Sequence, residues 1–577
     1  EGNSYTMVVD QGHVTPPKGG MINMAGTVFA VLDILQKPAQ AEINLHTDSS
    51  LTAALSLLDE PPFRFMTKAG QSVELGQGRA VLDTVLRLPL IPKVLVSDVS
   101  YQVNGRLTDV TSDVLVPGRT LTAANLTLTA SPAGLRISGK GKLGSVPFDA
   151  TYVQGFGPAA KGKASVEGQV ELSPTTVEEF NLGLPTGMVS GTGSGQITVA
   201  LQKGAAPRLR LTSDLARITL KLPEVGWTKP ANTKARLEVD ARLGAPATID
   251  ALLIEGPGLR ATGQISLRAA GGLDTATFNS FTVADWLKAG VKLTGRGKGR
   301  APAVALSGGV LDLRRMTLGG SAGGQAASDG APLDVSLDRV TVSEGIALTA
   351  FRGKFTPRGG FNGSFTARVN GGPPVSGTVV PSTNGSAVRI TSDNAGAVLK
   401  AAGIFDNARG GSLDLQLVPR REDGSYNGRV SSTAIRVQNA PALAELLSAI
   451  SVVGILEKLN GAGLTFNDAQ ADFRMTPDAI EITRGSAVGA SLGVSAAGLY
   501  SIRTKAFDMQ GVVSPIYLLN GIGAVLTRRG EGLFGFNYKL RGTADDPKVS
   551  VNPLSILTPG MFRELFRRAP PTLEGQG

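Results

Sequence analysis

The side chains best suited to acid–base, nucleophilic or metal chemistry are scarce in this chain. It has two histidines, His13 and His46, and no cysteine among 577 residues. Neither histidine stands in a His-x-x-x-His or Glu-x-x-His setting, the spacings that place metal ligands on one helix face. The lack of cysteine excludes disulfides, thiolate ligands and a cysteine nucleophile. A serine on a Gly-x-Ser-x-Gly elbow needs a histidine downstream, and both histidines precede nearly all of the sequence. Gly191-Thr192-Gly193-Ser194-Gly195 and Gly295-Arg296-Gly297-Lys298-Gly299 share the composition of phosphate loops but not their spacing, and neither opens a clear helix. Both read as turns. Asp59-Glu60 and Asp545-Asp546 stand beside prolines and read as caps and turns. Calcium-loop spacing is missing. These patterns point away from an enzyme, and no cofactor or metal is expected.

The elements that would have to position any site are strands. Arg208-Leu209-Arg210-Leu211-Thr212 alternates apolar and polar residues, as does Arg217-Ile218-Thr219-Leu220-Lys221-Leu222. Asp334-Val335-Ser336-Leu337-Asp338, Leu413-Asp414-Leu415-Gln416-Leu417 and Ile480-Glu481-Ile482-Thr483 repeat the pattern. Period-two alternation gives a strand one apolar and one polar face. Pro132-Ala133-Gly134, Gly204-Ala205-Ala206-Pro207, Gly256-Pro257-Gly258 and Asp423-Gly424 supply turns, which favour antiparallel neighbours. Composition agrees: 42% hydrophobic, 18% charged and 74 glycines fit strands and tight turns better than helices. Residues 319–332 form the nearest thing to a linker, so an elongated, growing sheet is expected in place of several separate sandwiches.

Helical signals are few. Residues 49–59 read as a capped helix stopped by Pro61-Pro62, residues 282–288 as one or two turns, and residues 395–402 as another short helix. Residues 441–459 carry the strongest signal, with Leu443, Leu446, Leu447, Ile450, Val453 and Leu456 in a stripe and Gly454 expected to kink it. From Pro559 onward, Met561, Phe562, Leu565 and Phe566 alternate with Arg563, Arg567 and Arg568 in a basic amphipathic tail. That tail reads as a cap on an open sheet edge, as a helix lying on a membrane surface, or as both. The net charge of +10 is spread along the chain. It matches a solvated basic surface or attraction to anionic headgroups, whereas no dense Lys/Arg stripe interleaved with aromatics supports nucleic-acid binding. No apolar run approaches the ~18 residues of a membrane-spanning helix. The sequence opens at Glu1 without a signal-peptide pattern, and is read as a processed chain or a fragment.

Several segments, in order, resemble the AsmA-like envelope protein family of the YhdP/TamB type. They begin with Leu51-Thr52-Ala53-Ala54-Leu55-Ser56-Leu57-Leu58-Asp59-Glu60-Pro61-Pro62 and the segment from Leu211-Thr212-Ser213-Asp214-Leu215 to Leu222-Pro223-Glu224. They continue with Ser392-Asp393-Asn394-Ala395-Gly396, Gly410-Gly411-Ser412-Leu413, and Ala440-Pro441-Ala442-Leu443 leading to Gly461-Ala462-Gly463-Leu464-Thr465-Phe466. Gly511-Val512-Val513-Ser514-Pro515-Ile516-Tyr517-Leu518-Leu519-Asn520, Gly530-Glu531-Gly532-Leu533-Phe534-Gly535 and Pro547-Lys548-Val549-Ser550-Val551-Asn552-Pro553-Leu554 complete the series.

The resemblance implies a mainly β fold: a long, twisted antiparallel β-groove with a few short helices. It divides the chain into residues 1–170, 171–385 and 386–577, the last holding the helices at 441–459 and 559–568. It also implies an N-terminal transmembrane anchor, which this sequence does not contain, and a periplasmic location reaching from the inner toward the outer membrane of a Gram-negative cell. The implied activity is non-enzymatic, bridge-like transfer of phospholipids that maintains the outer membrane. The expected wall of the groove is Leu209, Leu211, Ile218, Leu220, Leu222, Val335, Leu337, Leu413, Leu415, Ile480 and Ile482. Expected partners are phospholipids, both membrane surfaces and envelope proteins, with no nucleic acid. The alternative is a periplasmic scaffold that assists assembly of outer-membrane proteins.

Overall fold

Alternation becomes structure because each strand can bury one face only by pairing with neighbours in register. A computed structural model describes residues 2–573, apart from 62, 186, 298–299, 316–330, 358–359, 423, 516–527, 544–545 and 559–568. The chain is mainly β, with few helices, and its sheet is not closed into a barrel. It divides into two units, Glu1–Ala284 and Asp285–Gly577.

In the first unit the strands Gln40–Ser50, Gln77–Pro89, Ser100–Val116, Arg119–Ser131, Gly134–Leu143, Val146–Gly155 and Lys163–Leu172 pair one after another, all antiparallel. The ladder continues through Gly193–Gln202, Arg208–Ser213, Arg236–Arg242, Thr248–Gly256, Leu259–Leu267 and Leu273–Val283. Gly193–Gln202 starts inside the glycine-rich stretch that the sequence assigned to a turn. At the other end Thr27–Val31 pairs with Gln40–Ser50, and Tyr5–Val9 pairs with Thr27–Val31.

In the second unit the order is Leu287–Thr294, Ala303–Asp312, Leu333–Ser343, Ile346–Pro357, Phe361–Val369, Pro374–Ser382, Gly385–Ser392, Ser412–Pro419 and Tyr426–Val437. Leu464–Met475, Ala479–Val488, Leu492–Ser501, Ala506–Pro515, Phe536–Thr543 and Pro547–Asn552 follow. One pair breaks the antiparallel rule. Ala303–Asp312 and Leu333–Ser343 run parallel, with Val304 opposite Leu333 and Leu311 opposite Val340. A parallel neighbour needs a crossover connection; most of the expected linker lies outside the described residues.

The helices sit at strand ends. Helix α1 (Leu51–Leu58) starts at Ser50, whose side chain accepts from the Ala53 amide as an N-cap. Two short helices, α2 (Phe65–Ala69) and α3 (Pro174–Glu179), carry no apolar periodicity long enough to read. The Ser173–Thr176 capping box starts α3. Helix α4 (Ala395–Ala401) is capped by the Asn394 side chain. Residues 282–288 are not helical: Thr282 and Val283 stay paired with Arg260 and Leu259, and Leu287 opens the next strand. The strongest helical signal splits into α5 (Pro441–Ala449) and α6 (Val453–Asn460). The break falls at Ser451, with φ of 58°, and not at Gly454. Helix α5 buries Leu446 and Leu447 and packs against Pro547–Asn552, the last described strand.

A small second sheet joins Val189–Gly191, Ile218–Leu222 and Trp227–Lys229. Its core packs Ile218 with Leu215 and Ala235. Lys229 is fully buried there, and its Nζ donates to the carbonyls of Leu215 (2.7 Å), Ile218 (2.7 Å) and Pro230 (3.2 Å). Burial holds its pKa below the ordinary lysine value. Lys229→Met removes the donors from buried carbonyls and is expected to lower stability by about 1–3 kcal/mol, read as a urea midpoint. Below the folded pKa both states of wild type are protonated, so Lys229 adds no pH dependence there. Between the folded pKa and the ordinary lysine value the unfolded chain binds the extra proton, so wild-type stability rises with pH relative to Lys229→Met.

Candidate functional site: a continuous apolar face in each unit

The pairing registers align apolar residues from strand to strand. In the first unit one row runs Ala80, Leu107, Leu126, Gly139, Ala150, Gly168, Ile197, Leu211, Val239, Leu252, Gly263, Phe278, each opposite the next. A second row on the same face runs Leu82, Gly105, Leu128, Ile137, Tyr152, Val166, Val199, Leu209, Ala241, Ile249, Ile265, Ala276. Between them lies a row on the opposite face that includes Arg106, Thr127, Ser138, Thr151, Glu167, Thr198, Arg210 and Asp240.

The second unit repeats the arrangement. Val291, Leu306, Val335, Gly353, Phe365, Gly377, Ile390, Leu415, Val430, Ala471, Gly485 and Ala496 stand opposite one another in sequence. The companion row runs from Leu293 through Val304, Leu333, Phe355, Gly363, Val379, Val388, Leu417, Gly428, Phe473, Ile482, Gly498, Met509 and Leu540 to Val549. No polar side chain interrupts either row.

Most first-unit row members are half-buried, as Leu126, Ile137, Val166, Ile197, Leu209, Leu211 and Val239 are. A sealed core would hide these side chains, whereas a fully solvated face would expose them. Aromatic rings lie over several glycines of the rows. A Cβ on Gly377 would fall 2.1 Å from Phe365 Cζ, and one on Gly428 2.1 Å from Phe473 Cζ. Phe351 and Phe365 stack with centroids 5.1 Å apart. Glycine therefore gives each ring a place to lie flat, and the apolar surface stays low and even.

The opposite face carries ion pairs between neighbouring strands, Arg429–Asp472 and Arg87–Glu42 directly across and Arg389–Asp414 diagonal. Arg389 holds Asp414 (2.5 Å), Arg429 holds Asp472 (2.6 Å) and Arg87 holds Glu42 (2.8 Å). The hydrogen bonds from Arg389 keep the Asp414 carboxyl below its usual pKa, and Arg87 does the same to Glu42. In the second unit this polar face also bears a depression of about 890 Å³, lined by hydroxyls such as Ser336, Thr366, Ser376 and Thr378 and by Arg352, Lys354 and Arg389.

Among the expected wall residues, Leu209, Leu211, Val335, Leu415 and Ile482 are members of the rows. Leu337, Leu413 and Ile480 lie on the same face, two residues from Val335, Leu415 and Ile482 along their strands. Ile218, Leu220 and Leu222 are placed elsewhere: they belong to the small second sheet, where Ile218 is buried in its core. Their alternation made a strand but did not say which sheet it joins. Met561, Phe562, Arg563, Leu565, Phe566, Arg567 and Arg568 lie outside the described residues. Row members such as Phe278, Phe355 and Phe473 escaped the sequence reading because glycine, serine and charged neighbours blur their local alternation. His46 Nδ1 lies 2.7 Å from Asp83 Oδ1 at an exposed strand pair. Among the described residues no group of histidine and carboxylates is arranged to hold a metal ion, and no helix is long and apolar enough to cross a membrane.

Fold and rows together define a class: an open, mainly antiparallel β protein with a continuous apolar face in each unit. No family model, curated protein or solved structure matches the chain.

Gly428→Val should displace the Phe473 ring and cost about 1–3 kcal/mol in a urea titration. Combining it with Phe473→Leu should recover part of that loss, a non-additivity expected only if the two side chains share one space.

Proposed function

We propose that this protein is a non-enzymatic carrier that moves phospholipids along its apolar face between the inner and outer membranes of a Gram-negative envelope. The observation that carries this reading is the pair of uninterrupted apolar rows in each unit, half-buried over most of the first unit and at Leu306, Ile390 and Leu415 in the second, where Val291, Val335 and Phe365 are buried. Acyl chains laid on such a face are stabilised by about 0.8 kcal/mol for every CH₂ removed from water. Headgroups stay in solvent at the sheet rim. An even apolar wall reads tails and not headgroup chemistry, so selectivity among phospholipids is low. Movement is passive. The AsmA-like resemblance supports the periplasmic setting and the membrane pair, with protein partners in the envelope. In the same reading the basic tail at residues 559–568 serves as a cap or membrane contact.

The second reading, a scaffold for outer-membrane protein assembly, has its own observation. Tyr5–Val9 pairs only with Thr27–Val31 among the described residues, and leaves an edge that can accept an extended segment.

The test is transfer of a fluorescent phospholipid between donor and acceptor vesicles by the full chain. Leu211→Asp and Leu415→Asp each put a charge into a row and should cut the transfer rate at least tenfold. Thr198→Asp, on the polar face, should leave it near wild type. Equal rates for all of these variants, with folding intact by circular dichroism, would remove the carrier reading and favour the scaffold.

A further inference from the structure

Large aliphatic side chains cluster in solvent at one end of the first unit. The strand Gln40–Ser50 is entered through residues 32–39, and the strand Gln77–Pro89 is left through residues 90–99. Gln40 is paired with Pro89, and the Leu90 amide donates to the Ala39 carbonyl (2.8 Å), so the two loops leave the sheet side by side. They expose Leu32 (66%), Ile34 (48%), Leu35 (65%), Leu90 (46%), Ile91 (37%) and Leu95 (55%). Single exposed aliphatics are ordinary, but a group on two adjacent loops is not.

The loops are built to hold those side chains outward. The Asp33 carboxylate accepts from the Leu35 amide (2.8 Å), the Asp98 carboxylate accepts from the Leu95 amide (2.9 Å), and the Ile34 amide donates to the Asn3 carbonyl (2.7 Å). Both acids thus serve the loop backbone. Lys37 and Lys93 are exposed in the same loops. Aliphatics with lysines, and no aromatic residue or arginine within either loop, are unlike the tyrosine-, tryptophan- and arginine-rich centres of protein interfaces. They suit a lipid interface, where leucines enter the acyl boundary and lysines reach back to headgroups; Asp33 and Asp98 balance the two lysines, so apolar insertion and not net charge drives docking.

The patch also connects to the apolar face. On the strand Gln77–Pro89 the residues of the row face are Ala80, Leu82, Thr84, Leu86 and Leu88, so a single threonine interrupts the apolar file before Leu90 follows in the loop. We infer that the paired loops 32–39 and 90–99 are a membrane-docking tip that inserts its aliphatic side chains into a lipid surface and brings the end of the apolar face to it. Docking itself does not depend on lipid occupying the rows. Only the use of the tip as an entrance rests on the carrier reading.

The test uses the full chain with phosphatidylglycerol/phosphatidylethanolamine vesicles. Leu95→Trp should shift its emission to the blue on vesicle addition and be quenched by phospholipids brominated in the acyl chain. The exposed-site triple variant Leu32→Ser/Leu35→Ser/Leu95→Ser should reduce the vesicle-bound fraction at least tenfold in flotation, with its urea midpoint and the lipid carried per chain unchanged. Lack of quenching at position 95, or flotation of the triple variant equal to wild type, would overturn the inference. So would a concentration-dependent dimer of the wild type that the triple variant abolishes, which would assign the patch to self-association. A chain that docks but carries no lipid would defeat the carrier reading and leave the docking tip standing.

Discussion

Strand register is the constraint on which the rest depends. Side chains alternate with a period of two, so a slip of one residue between two strands would send an apolar set to the polar face. From Ala80 to Phe278, and again from Val291 to Ala496, the pairing stays in step and accommodates bulges such as those at Asp240/Ala241 and Thr349/Arg352. Aligned rows are the product. Cross-strand Arg–carboxylate pairs on the polar face favour the same register, although exposed pairs contribute little energy individually. The penalty for burying arginine or aspartate on the apolar face is larger, and does most to exclude a slipped pairing.

Glycine is the second device that shapes the face. On a solvated strand it weakens pairing by its conformational freedom. Here Gly353, Gly363, Gly377 and Gly428 stand beside phenylalanines whose rings would overlap a Cβ. Ring and glycine act as a unit: the ring recovers apolar contact that glycine lacks, and glycine keeps the ring from standing up into the space above the sheet. At these positions Phe355, Phe365 and Phe473 lie against the sheet itself.

The local part of this fold was legible in the sequence. Alternation at residues 208–212, 334–338, 413–417 and 480–483 gave strands where strands are found, and the helices expected over 49–59 and 395–402 are found at Leu51–Leu58 and Ala395–Ala401. What was not legible is non-local. The alternation of Ile218, Leu220 and Leu222 equals that of Leu209 and Leu211, yet one strand joins a side sheet around buried Lys229 and the other the main ladder. The parallel pair Ala303–Asp312 with Leu333–Ser343 depends on a long connection and carries no local mark. Residues 282–288 have helical composition, but pairing of Thr282 and Val283 across the ladder prevails over a helix too short to be stable alone. The rows themselves belong to no single segment, since each strand contributes one residue to each.

The central claim is that the apolar face of this protein is a surface for acyl chains and not a core packed on itself. Native mass spectrometry of the full chain released from mild detergent, with extraction and identification of what it carries, tests this most directly. The account predicts several phospholipids per chain, of mixed headgroup, lost on Leu211→Asp and Leu415→Asp substitution. A chain that is folded, soluble and free of lipid would contradict it.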